Sequence, residues 1–177
     1  MPTQPTNQLR LNKHLALHKP TGYVCSRKSQ GDNPTIYELL PEKFHHLKPV
    51  GRLDRNSSGI VLLTNNGDFA YQMTHPKFFK TKIYNVRLEN NLAPLHQQMI
   101  SDYGVILDDG PSKLQLEKMK ETDRKSWIVT MHEGRNRQIR RTFGSLGYTV
   151  SKLHRTNFGN YALGDIKSGE FEIINLL

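Results

Sequence analysis

The chain contains a single cysteine, Cys25. An internal disulfide is therefore impossible and a cysteine-built zinc site is excluded in practice, which fits a reducing cytoplasm. Long apolar runs are also missing. Nothing approaches the roughly 20 residues of a membrane helix, and the opening "MPTQPTNQL" lacks the apolar core of a secretory signal. The eight histidines are scattered, and none has the spacing of a helical metal pair, so no metal is expected. There is no Walker loop and no dinucleotide fingerprint. "NNGD" and "DDG" are turn chemistry rather than calcium loops. Acids are scarce, 16 against 25 lysines and arginines, for a net charge of +9. They form neither the pair a glycosidase needs nor the cluster of a metal-dependent nuclease.

What the chain has in excess is positive charge, and that points to a polyanionic partner such as nucleic acid. Its 177 residues suit one domain. The expected plan is a flexible tail over 1–10 and a single domain over 11–177. Alternation in "HLALHKPTGYVCS" predicts two short strands around a Lys-Pro-Thr-Gly turn. "PTIYELLPEKF" predicts a short helix, "GIVLLTNNGD" a central strand and an Asn-Gly turn, and "DFAYQMTH" another short helix. "TKIYNVRL" reads as a strand. "NLAPLHQQMISDYG" reads as a helix with Pro94 in its first turn and Gly104 beyond its end. "SKLQLEKM" and "KSWIVTMHEG" are strands joined by a polar loop. "NRQIRRTFGSLG" is a helix closed by Gly147, and "TVSKLHRTNFG" and "GEFEIINLL" are closing strands. Strands outnumber helices without alternating strictly with them, so the fold class is α+β with a mixed, mostly antiparallel sheet.

Three stretches carry chemistry. In "GRLDRNSSGIVLLTNNGD" a lone acid, Asp54, stands between Arg52 and Arg55 at the mouth of an apolar run. Such a residue can be an ordinary surface salt bridge. It can also be an ionised carboxylate in a cleft, favoured by nearby guanidinium groups and able to act as nucleophile or base. Arg137, Arg140 and Arg141 gather on one side of the "NRQIRRTFGSLG" helix, opposite Ile139, Phe143 and Leu146. With Arg135 they make either a solvated face or an anion site. Tyr84 sits among Lys80, Lys82 and Arg87, as a half-buried strand residue or as a ring on which a base can stack.

These stretches, together with "LHKPTGYVCS", "LDDGP" and "VSKLHR", strongly resemble the RsuA/RluB/RluE/RluF family of ribosomal RNA pseudouridine synthases. They appear in the family's order from about Leu15 onward, and the large-subunit enzymes that lack an accessory module look nearest. The resemblance implies an α+β catalytic domain crossed by a basic cleft. It implies isomerisation of uridine to pseudouridine in rRNA, 23S above all, with neither cofactor nor metal, by a cytoplasmic monomer. The family's essential aspartate falls on Asp54, its active-site tyrosine on Tyr84, and the arginine that pairs with the aspartate on Arg140. Leu153 falls where an aliphatic residue packs near the base. Asn56-Ser57 departs mildly from the family's usual loop. Lys19, Arg52, Arg55, Lys82, Arg135, Arg137 and Arg141 are then the expected RNA contacts. A non-catalytic RNA-binding or ribosome-assembly factor on the same scaffold is the alternative.

Overall fold

The computed structural model describes residues 11–176; the tail expected over 1–10 lies outside the described residues. In chain order the elements are β1 (His14–Lys19), β2 (Lys48–Val50), β3 (Ser58–Thr64), α1 (Gly67–Thr74) and β4 (Lys82–Leu88). Next come α2 (Pro94–Gln98), β5 (Val105–Leu107), β6 (Gly110–Ser112), β7 (Gln115–Lys120) and β8 (Asp123–Met131). The last are α3 (Gln138–Gly144), β9 (Val150–Phe158), β10 (Tyr161–Ala162) and β11 (Phe171–Ile173). One sheet runs β11-β1-β3-β9-β4-β8-β7, with β10 paired to β9 and β2 to β3; β5 and β6 form a separate hairpin. Among the described residues every strand pairing in this sheet is antiparallel except a short parallel contact between β3 and β9. Among the described residues no helix is long and apolar enough to cross a membrane.

The apolar run of β3 follows from its place inside this sheet. Ile60 and Leu62 point to one face, into a core with Phe69 and Met73 of α1. Val61 and Leu63 point to the other, into a larger core with Trp127, Val129, Ile139 and Phe143. A strand covered on both faces has no polar side to alternate with.

Gly59 makes the parallel contact possible. It opposes Arg155 in register at φ +117°, and a Cβ there would collide with the Arg155 backbone. The α+β class and the mixed sheet are as the sequence predicts. Four details differ. The strand expected near Tyr23 shrinks to a single bridge between Val24 and Thr35. "PTIYELLPEKF" forms two 3-10 turns, Ile36–Leu39 and Glu42–Phe44, in place of one helix. Pro41 is the reason: it pushes Leu40 into an extended conformation (φ −112°, ψ 142°). Asn66 caps α1 by accepting from the amides of Asp68 and Phe69, so Asn-Gly starts a helix rather than making a turn. The arginine helix begins one residue after Arg137, which is left-handed at φ 47°.

Candidate active site

A cavity of about 350 Å³ opens where the ends of β4, β8 and β9 meet the loop before β3 and the turn before α3. That volume falls in the range of small-molecule sites. Among the described residues its lining holds one acid, Asp54, against Arg52, Lys82, Arg135, Arg137 and Arg155.

The floor follows from strand alternation broken by one bulge. Lys82 and Tyr84, two apart on β4, share a face. On β9, Leu153 and Arg155 share it too, but the next residue to reach the cavity is Phe158, three positions on. The register slips between Ile83 and Tyr84, leaving Thr156 unpaired against β4. That bulge shifts the phase, as bulges beside active sites do. The Thr156 hydroxyl has two acceptors in reach, Asn157 Oδ1 (2.8 Å) and the Ile83 carbonyl (3.3 Å). Tyr84 and Leu153 are both 7% exposed, so each shows only an edge to the cavity.

The Asp54 loop is held from two sides. Below it, Lys19 is fully buried, and its Nζ donates to the carbonyls of Ser57 (2.6 Å), Pro20 (2.9 Å) and Arg55 (3.4 Å). Burial pushes this ammonium down to about 8, against the opposing pull of Cys25 and Asp54. The lysine expected to touch RNA is therefore a bolt inside the loop, because three carbonyls converge where solvent cannot reach. From above, Arg140 donates to the Val150 carbonyl (3.1 Å), the Asn56 carbonyl (3.2 Å) and Ser57 Oγ (3.4 Å).

The partner of Asp54 is also different from the expected one. Its Oδ2 accepts from Arg137 Nη1 at 3.1 Å, not from Arg140 or from either flanking arginine. Arg137 reaches it because the left-handed turn throws its side chain off the helix and over the cavity. Arg140 still feels Asp54, whose charge favours its own, although burial and the charge of Arg137 weigh more heavily the other way. Both members of the ion pair are roughly 40% exposed, so the pair aligns the carboxylate more than it stabilises the fold.

Two more of the expected RNA contacts are committed elsewhere. Arg141 binds both oxygens of Asp109 at 2.9 Å, and Arg135 binds the same carboxylate at 2.8 Å. Asp109, on the turn between β5 and β6, thus anchors that hairpin to both ends of the arginine segment. Hydrogen bonds from Arg141 hold the Asp109 carboxyl below its usual range, with the nearby Arg135 charge adding to this. Arg52 and Arg55 are exposed, Arg52 on the cavity rim. Lys82 lies in the cavity with Nζ 3.4 Å from the Glu133 carbonyl; burial, then Arg155, lowers its pKa.

Arg155 and Gln138 were not singled out in the sequence. Arg155 is 3% exposed, donates through Nε and Nη2 to the Ile60 carbonyl (3.0 and 2.8 Å) and lies over the Phe158 ring. Its spacing from Leu153, two residues along one strand, was the available signal. Gln138 is buried and donates to Glu133 (2.6 Å) and Ser112 (3.0 Å), fixing the turn that carries Arg137. The assembled geometry presents one carboxylate, aligned by an arginine, above an aromatic edge and among cations.

Known proteins share much of this sequence and of its fold. Ribosomal large subunit pseudouridine synthase B of Xanthomonas campestris is 37% identical over 159 residues, covering 84% of this chain and 32% of its own length. Ribosomal small subunit pseudouridine synthase A of Pasteurella multocida is 34% identical over 168 residues, covering 92% of this chain and 70% of its own. The chain thus spans about a third of the Xanthomonas relative. A crystal structure of a pseudouridylate synthase superposes with a TM-score of 0.84 at 31% identity, over 93% of this chain and 70% of that one. The sequence model described as RNA pseudouridylate synthase matches residues 13–145, and the chain belongs to that family.

Proposed function

We propose that this protein converts a uridine of ribosomal RNA to pseudouridine, with Asp54 as its essential carboxylate. The observation that carries this is the lone acid in a cavity whose other charged lining residues are all cations, with an aromatic edge beside them. Such a site draws in a phosphate-linked nucleotide and leaves one group able to attack or deprotonate it. The N1–C1′ bond breaks, the detached uracil turns, and C5 joins C1′. The C5 proton leaves to solvent and N1 gains one, so atoms balance without an oxidant. Tyr84 covers the ring while it is detached, and Leu153 packs against it. Arg137 aligns Asp54, and Arg140 with Lys19 holds its loop. Neither metal nor cofactor takes part in this scheme.

Both large- and small-subunit enzymes are among the relatives; large-subunit rRNA is the proposed substrate, since several similar relatives carry that name. The test is tritium release from RNA labelled at uridine C5, with a chelator present. Release by the protein and none by Asp54→Asn supports the assignment. Binding without release identifies a non-catalytic factor instead, and strand cleavage a nuclease.

A further inference from the structure

Beside the cavity lies an aromatic surface that the core does not use. α1 buries Phe69 and Met73 and turns Tyr71 outward, and His75, which caps its C-terminal end, is exposed as well. Tyr71 is 47% exposed, Phe78 38% and Phe79 72%. The Tyr71 ring lies 4.8 Å from His75 and 5.7 Å from Phe78. Lys77 Nζ sits 5.3 Å from the centre of the Tyr71 ring and 5.0 Å from that of Phe78.

Phe79 stands apart from this group. Among the described residues it makes no ring contact, yet its backbone is left-handed (φ 48°, ψ 45°). A bulky residue there is strained, and strain of this kind collects at functional surfaces. The patch is continuous with the cavity. Thr74, three residues beyond Tyr71 and on the same helical face, lines it; Lys80 packs beside Gly159, next to cavity residue Phe158. Exposed rings interleaved with lysines suit unpaired bases, which stack on aromatics while their phosphates meet cations.

We propose that residues 71–80 form a stacking shelf for one or two unpaired bases of the RNA strand flanking the nucleotide in the cavity, with Lys77 and Lys80 against its phosphates. The identity of that nucleotide as a target uridine rests on the function proposed above; the shelf itself does not.

The probe is a short oligouridylate carrying one 2-aminopurine, whose fluorescence falls when it stacks. Phe79→Gly removes the ring while suiting the left-handed backbone, so this variant melts no lower than the parent. It is expected to bind about ten-fold more weakly and to lose the quench, with an unchanged salt slope. Phe79→Tyr restores both. Lys77→Gln instead makes the salt slope shallower by about 0.7. Parent-like binding and quenching by Phe79→Gly would overturn the shelf. So would a parent that sediments as a dimer and a Phe79→Gly that does not, because the face would then join copies of the chain. Normal quenching without tritium release from any rRNA would refute the proposed function and leave the shelf standing.

Discussion

A lysine with no exposed surface carries its own pH signature. Lys19 sits at about 8 in the folded chain, against 10.5 for a free lysine. Between those values the unfolded chain holds a proton that the folded chain has released, so stability rises with pH across the window. The full rise is on the order of 3 kcal/mol; below about pH 8 both states are protonated and the cost of burying the charge remains. Lys19→Met should abolish this rise, measured by denaturant unfolding at about pH 7.5 and about pH 10, and equal slopes in both proteins would mean the amine is solvated. The same variant should lower turnover by at least about ten-fold, because the Ser57 and Arg55 carbonyls lose their shared donor. The two arginines near Asp54 should separate in the same way. Arg140→Lys cannot span its three acceptors and should lower both stability, by about 1–2 kcal/mol, and turnover. Arg137→Lys keeps a cation beside Asp54 and should lower turnover alone; thermal melts alongside tritium release distinguish the two. Asp54 could be singled out in the sequence because the motif around it is local and resembles the family's. Its partner was not, because the choice between Arg137 and Arg140 depends on one left-handed residue that no helical wheel displays. Asp109 was hidden too, since its tie to Arg141 spans 32 positions.

At the scale of elements, the contact between β3 and β9 is the tightest constraint on the site. It holds the Asp54 loop, just before β3, against the strand that supplies Leu153 and Arg155. Gly59→Ala must push those backbones apart and adopt an unfavourable φ, for a cost of roughly 3 kcal/mol or more. Denaturant unfolding of that variant should show the loss; a midpoint within error of the parent would mean the strands can separate freely. Apolar period and proline positions made most of the strands and the long β8 readable in advance. β5 and β6, three residues each, were too short to show a period. The Thr156 bulge was invisible for another reason: pairing with β4 creates it, and nothing in the β9 sequence requires an extra residue. Leu153 and Tyr84 could thus be named, but not the phase that turns Phe158 inward with them.

Across the whole molecule, the +9 charge overstates what RNA can reach. Lys19 is buried, Arg135 and Arg141 are bound to Asp109, and Arg140 and Arg155 are occupied with carbonyls. Lys82 is turned to the Glu133 carbonyl and Arg137 to Asp54, so Arg52, Arg55, Lys77 and Lys80 remain near the cavity and its shelf. Four phosphate contacts on a single strand give a salt slope of about −3, against about −4 to −6 for a cleft in which roughly five to eight cations take part. Filter binding over a range of salt measures it, and a slope steeper than about −5 would return the buried cations to the interface. The strand order has a further outcome, in time rather than in space. β9 lies between β3 and β4, so a ribosome making this chain delivers both neighbours long before the strand that joins them. Until residues 150–158 emerge, the Asp54 loop faces an empty slot and the β4 edge that bears Tyr84 stays open. Such non-local closure is slow, and an open edge invites foreign strands. A nascent chain halted before residue 150 should therefore be readily cleaved by protease and catalytically silent, with protection and activity arriving together once β9 has slid into place.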